Sequence, residues 1–198
     1  MILTPQILLN AYCQGYFPMA DPNENYQVYW YDPDPRTVLP LETFHVSKRL
    51  ARTVRQGKFE VRLDSDFRRV MELCAEPREA GAKTWISPEL IDLYVELHEQ
   101  GFAHSLETWQ DSKLVGGVYG VSVRGLFAGE SMFSHVTDAS KVALVHLVRM
   151  LRKSGYTLFD VQFTTSHLRR FGAVELRRDI YKESLAQALT VSPKPLTL

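Results

Sequence analysis

Three polar residues interrupt stretches otherwise suited to a sheet interior. Glu130 stands in Leu126-Phe127-Ala128-Gly129-Glu130-Ser131-Met132-Phe133, and Asp160 and Gln162 stand in Leu158-Phe159-Asp160-Val161-Gln162-Phe163. Strand side chains alternate with period two, so Asp160 and Gln162 are expected on one face, about 6.6 Å apart along it. A carboxylate buried beside an amide is costly unless it is paired or used. Two readings stay open from spacing alone: a structural hydrogen bond to a neighbouring turn, or a group that orients or deprotonates a nucleophile. No side chain in these stretches makes a nucleophile–base pair, and the six histidines show no convincing metal-ligand spacing. Cys13 and Cys74 are too few for a disulfide framework or a zinc cage and read as small apolar residues.

The elements that must position these residues are legible in part. Thr4-Pro5 signals a helix start, an apolar face of Ile7, Leu8, Ala11 and Tyr12 follows, and Gly15 ends it. Residues 18–40 are rich in proline and aromatics, and Pro33-Asp34-Pro35-Arg36 suits neither a helix nor a central strand. This segment reads as a small irregular lobe, with a boundary near residue 36 and a second domain over 37–198. Helices are expected over 46–57, 66–75 and, from the Ser87-Pro88 start signal, 87–101. The period then changes to two. Strands over 103–109, 114–123 and 126–133 joined by short turns predict an antiparallel meander. Gly116, Gly117 and Gly120 inside the middle strand are costly unless they serve a bulge or a close approach. A helix over 138–153, a strand over 158–163, a helix over 181–189 and a loose tail complete the chain. This order is similar to the α+β acyltransferase fold of the GNAT class. That resemblance implies that the fourth and fifth strands splay into a substrate cleft.

The 198 residues carry 23 basic and 23 acidic side chains, for a formal net charge of zero. Composition alone therefore gives no strong attraction to nucleic acid. Any such contact needs a local patch, and Lys48, Arg49, Arg52 and Arg55 on the 46–57 helix provide one. A solvated helix face is the plainer reading of the same charges. No apolar run reaches the roughly 20 residues needed to span a bilayer. The first 17 residues lack the features of a signal peptide. A soluble, cytoplasmic, membrane-free monomer is expected.

The ordered motifs resemble one family. Gly15-Tyr16-Phe17-Pro18-Met19, Trp30-Tyr31-Asp32-Pro33-Asp34-Pro35-Arg36, Thr84-Trp85-Ile86, His104 to Trp109, Gly116 to Val121, Leu126 to Ser134, Ala139-Ser140-Lys141 and Phe159-Asp160-Val161-Gln162 are similar to the leucyl/phenylalanyl-tRNA–protein transferases. The resemblance implies transfer of Leu or Phe from aminoacyl-tRNA to the N-terminal Arg or Lys of acceptor proteins, marking them for N-degron degradation. It implies no cofactor. A glycine-rich pyrophosphate loop ahead of the 138–153 helix is missing, against an acyl-CoA-dependent acetyltransferase. A non-enzymatic RNA-binding module is the other alternative, and the polar residues inside strands speak against it.

Carried over position by position, the resemblance makes Asp160 and Gln162 the catalytic pair, with Glu130 a third functional residue near the substrate amino group. Trp85 and Tyr94 match positions that hold the 3′-terminal adenosine. Met19 stands where well-known members have a tryptophan, so a softer contact replaces a stacking ring. Phe127, Met132, Ser134, Leu147, Leu151 and Phe159 map to the pocket for the transferred side chain.

Overall fold

The computed structural model describes residues 3–77 and 82–198. The chain opens with α1 (Pro5–Gln14), where Thr4 Oγ1 accepts the Ile7 N–H and Gly15 closes the helix at φ 82°. Strands β1 (Phe17–Asp21) and β2 (Gln27–Tyr31) then pair as an antiparallel hairpin, Phe17 opposite Tyr31. β3 (Arg36–Val38), α2 (Lys48–Arg55), β4 (Glu60–Leu63), α3 (Phe67–Ala75) and α4 (Pro88–Glu99) follow. Next come the meander strands β5 (Ala103–Gln110), β6 (Lys113–Val123) and β7 (Leu126–Ser134), then α5 (Ala139–Ser154). β8 (Leu158–Gln162), the single turn α6 (Ser166–Arg169), β9 (Val174–Leu176) and α7 (Arg178–Ala188) complete the order.

The main sheet runs β4-β5-β6-β7-β8-β3-β9. Only the β7–β8 pair is parallel among its described strands, and it holds register for three rungs, Leu126–Leu158, Phe127–Phe159 and Ala128–Asp160. Beyond that point the two strands part. The meander, the crossover α5 and the splayed pair are the GNAT-like α+β layout expected from the order of elements. α5 packs against β5, β6 and β7 on one sheet face, in a core with Leu50 of α2, Phe127, Phe159 and Phe171. α1, the hairpin, α3, α4 and α7 share a second core with Tyr94, Tyr119 and Tyr181.

The meander glycines have steric causes. A Cβ on Gly116 would lie 2.5 Å from Ala139 Cβ, so its absence lets the start of α5 approach the sheet. A Cβ on Gly120 would lie 2.3 Å from the Ala128 carbonyl oxygen, at the register shift between Tyr119 and Gly120. Both conditions named from the sequence, a bulge and a close approach, are met.

Three expectations are corrected. Residues 18–40 are not irregular: they form the hairpin and then β3, which lies inside the sheet between β8 and β9. Pro33 and Pro35 precede that strand instead of occupying it, so no ladder hydrogen bond is lost. The tail is not loose, since Leu196 is buried, Lys194 N–H donates to the Ser154 carbonyl and Ser154 Oγ donates to the Pro195 carbonyl. α7 begins at Arg178, three residues before the expected start. The short elements β4, α6 and β9 were not read from the sequence.

Candidate active site

β8 is buried along its whole length. Placing a carboxylate there demands compensation, and Asp160 receives it from four donors. Arg36 Nε reaches Oδ1 at 2.9 Å and Arg36 Nη2 reaches Oδ2 at 2.6 Å. The Gln162 backbone N–H donates to Oδ1 at 3.0 Å, and the Tyr181 hydroxyl donates to Oδ2 at 2.8 Å. An ionised carboxylate offers about four lone-pair sites, so Asp160 is saturated. Arg36 is itself 1% exposed, donates its third group to the Gly15 carbonyl, and lies between the Phe17 and Tyr181 rings. Burial pulls the Arg36 pKa down, but the hydrogen bond and charge of Asp160 outweigh it and raise it. Burial and the Asp160 charge likewise push the Tyr181 hydroxyl up.

Gln162 ends β8 at φ 57°, a left-handed conformation rare for a side chain with a Cβ. Strain of this kind costs on the order of 1–3 kcal/mol and must be held by its surroundings. Here the Asp160 carboxylate holds the Gln162 N–H, and Thr37 pairs with it across β3. The expected side-chain pair is thereby corrected: Asp160 contacts the main chain of Gln162, and the Gln162 amide Nε2 points to Glu130 Oε1, 3.5 Å away. The left-handed turn breaks the period-two alternation.

Glu130 lies on the part of β7 that has left β8. It is half-buried and faces the cleft. Tyr94 Oη donates to its Oε2 at 3.4 Å, and Tyr12 Oη lies 2.5 Å from Tyr94 Oη. Burial, aided by the Asp160 charge, pushes the Glu130 carboxyl up to about 8, against the hydroxyls of Tyr12 and Tyr94 and the Arg36 charge. The two carboxylates thus have opposite environments, Asp160 ion-paired and saturated behind the cleft lining, Glu130 in the lining and poorly solvated.

The cleft opens where β7 and β8 part and has a volume of about 850 Å³. Leu144 of α5, Met132, Phe159 and Val161 give it an apolar wall, while Glu130 and Gln162 place polar groups in it. Such a mixture of apolar lining and a few convergent polar groups suits a small apolar moiety carried on a polar body.

The family profile described as leucyl/phenylalanyl-tRNA protein transferase matches residues 38–186, and the profile of that family's N-terminal domain matches residues 1–34. A leucyl/phenylalanyl-tRNA–protein transferase of Herpetosiphon aurantiacus is 54% identical over 191 residues, 96% of this chain and 96% of that protein. One of Paramagnetospirillum magneticum is 52% identical over 187 residues, 94% of this chain and 90% of that protein. The chain belongs to the leucyl/phenylalanyl-tRNA–protein transferase family. It is an aminoacyltransferase. Among solved structures, FemX aligns with a TM-score of 0.56 at 12% identity, over 86% of this chain and 66% of that one, a likeness of fold.

The transferase positions named from the sequence fall in three groups. Met19, Trp85, Met132, Ser134 and Phe159 line the cleft together with Glu130 and Gln162, and the Ala20 N–H donates to the Trp85 carbonyl, tying the hairpin to that rim. Tyr94, Phe127, Leu147 and Leu151 lie behind the lining, each at most 2% exposed. Tyr94 therefore offers no free ring face for stacking on an adenine, and its hydroxyl serves Glu130 instead. Leu144, one turn before Leu147, faces the cleft. Lys48, Arg49, Arg52 and Arg55 are all exposed on α2. Arg49 bonds Asp138 at the start of α5, two residues before the cleft-lining Ser140.

Arg36, Tyr181 and Tyr12 were not singled out as site residues from the sequence. A strand-interrupting Asp160 requires a cationic partner, and that demand was the available signal for Arg36. Cys74, read as inert core, is buried and also lines the cleft. No described helix is long and apolar enough to cross a membrane.

Proposed function

We propose that this chain transfers Leu or Phe from aminoacyl-tRNA to an N-terminal Arg or Lys in the cytoplasm, with Glu130 moving the proton. The observation that supports this division of labour is the contrast between a saturated Asp160 and a Glu130 whose carboxyl is raised to about 8. An α-amine titrates near ~7.7–8.0, so Glu130 is matched to it, and a base near the operating pH is the efficient one. Asp160, with no free lone pair, holds Arg36, Tyr181 and the Gln162 turn in place. It is a positioning group and not a base.

The step balances without a covalent intermediate. The acceptor nitrogen attacks the ester carbonyl, the C–N bond forms, and the C–O bond to the ribose breaks. Glu130 takes the nitrogen's proton and returns it to the leaving ribose oxygen. The Leu or Phe side chain lies against Met132, Leu144, Phe159 and Val161, with Ser134 at the outer end. One methylene in such a wall discriminates by about 1–3 kcal/mol. Trp85 and Met19 take the terminal adenosine at the hairpin rim. Lys48, Arg49, Arg52 and Arg55 contact tRNA phosphates. The 1–36 segment acts as a lobe that completes the site, since it supplies Tyr12, Met19 and Arg36.

The test is a transfer assay with labelled Leu-tRNA and Phe-tRNA, using one peptide that begins with Arg and one that begins with Asp. Label on the Arg peptide alone is expected. Label on both, or on neither with both tRNAs, overturns the acceptor rule or the reaction respectively.

A further inference from the structure

The hydrogen-bonded line that ends on Glu130 begins outside the cleft. Tyr12 belongs to α1 and Tyr94 to α4, and both are buried, at 1% and 0% exposure. Their hydroxyls meet at 2.5 Å, the Tyr94 hydroxyl reaches Glu130 Oε2 at 3.4 Å, and the Tyr12 hydroxyl also interacts with Glu130. A buried phenol usually finds a partner, so mutual satisfaction of two tyrosines is the plain explanation. Tyr119 argues against that explanation. It is equally buried in the same cluster, its ring meets Tyr94 edge-on, and its hydroxyl has no hydrogen-bond partner. The cluster therefore tolerates an unpaired phenol, yet it aligns two others on Glu130, the cleft-lining carboxylate beside Gln162.

We propose that Tyr12 is a positioning residue for the transfer reaction: with Tyr94 it fixes Glu130 Oε2 from behind, which leaves Oε1 to Gln162 and the substrate. The line stops at Tyr12, inside the α1 core, so it orients and stabilises the carboxylate without conducting a proton to solvent. The catalytic consequence rests on the reading of Glu130 as the proton-moving group. The hydrogen-bond consequence does not. Other groups act on Glu130 as well. Asp160 of β8 disfavours its charge, Arg36 of β3 favours it, Gln162 donates to it, and Tyr119 of β6, whose hydroxyl is pushed up by burial, stands near it as a neutral phenol. These stay in place when a single phenol is removed, so a shift in a Tyr12 variant belongs to Tyr12.

The test is Tyr12→Phe, which keeps the ring and removes only the hydroxyl. The titration of Glu130 is followed by NMR in protein carrying glutamate with a labelled carboxyl carbon, with Glu130→Gln to assign the resonance. The donor favours the charged form, so its loss is expected to raise the Glu130 midpoint by about one pH unit. Tyr94→Phe, which removes the middle phenol, is expected to shift it the same way. In the transfer assay the acid limb of the kcat profile moves up by a similar amount, with KM for Leu-tRNA nearly unchanged. An unchanged Glu130 midpoint in Tyr12→Phe overturns the proposal. A shifted midpoint with an unshifted kcat profile supports the hydrogen-bond assignment and overturns the proton role of Glu130, so the two failures are distinguishable.

Discussion

Asp160 and Glu130 stand on neighbouring strands, one sealed behind the cleft and the other lining it, and the protein provides for them in opposite ways. Asp160 receives a bidentate guanidinium, a phenol and a backbone N–H, all within 3.0 Å. Glu130 receives a phenol at 3.4 Å and an amide at 3.5 Å, near the outer limit for a hydrogen bond. A carboxylate with every lone pair engaged is a strut, because each oxygen already holds its neighbours in place. A carboxylate left short of partners keeps its affinity for a proton, and that affinity is what acid–base chemistry needs. Sequence offers no such distinction, since both are acidic residues interrupting apolar strands.

The sharpest way to break this comparison is to remove the strut. Arg36→Met leaves Asp160 buried without its cation, and losing one partner of a buried pair costs about 3–5 kcal/mol. Urea denaturation is expected to show a loss of that size, accompanied by displacement of Gln162. A loss under 1 kcal/mol would mean that Asp160 does not depend on the pair. Glu130→Gln tests the other side. It keeps the shape and removes the proton site, so kcat is expected to fall at least about a hundredfold with little loss of stability.

The same variant sharpens the contrast through pH. The Glu130 carboxyl is raised from an ordinary 4.5 to about 8, so the native state holds a proton that the unfolded chain has released. Its contribution to stability is complete below about pH 4.5 and is lost as pH rises through about 8. Wild type is expected to lose up to about 1.4 kcal/mol per pH unit across that window relative to Glu130→Gln. Parallel stability curves would remove the raised carboxyl from the account. The smallest effect belongs to the exposed charges of α2. Substituting alanine for Lys48, Arg52 and Arg55 is expected to leave folding nearly unchanged. Each substitution is expected to lower the slope of log tRNA affinity against log salt by about one.

How much of this was legible follows from the reach of each interaction. α1 and α4 could be read because their caps are local: Thr4 accepts from Ile7, and Ser87 accepts from Leu90. The meander was legible from alternation and short turns. β3 was not, because its three residues gain strand character only from β8 and β9, more than 120 positions away. Arg36 stayed hidden for the same reason. Its proline-rich approach suggests a surface loop, while its burial is decided by Asp160. On α5 the resemblance pointed to Leu147 and Leu151, but which turn meets the cleft depends on where β7 leaves β8, and Leu144 lines it. Tyr94 was named through the resemblance, which says nothing of where its hydroxyl ends.

The place of β3 in the sheet has a consequence for the newborn chain. Residues 36–38 leave the ribosome long before both strands that flank them, 158–162 and 174–176. Closing so long a loop carries an entropic cost that no nearby contact offsets. Until residues 158–162 have emerged, Arg36 is a cation without its carboxylate and Thr37 has no partner strand. Assembly of the cleft therefore waits for β8, and a translation product interrupted before it holds Tyr12, Tyr94 and Glu130 without the strand that completes their site.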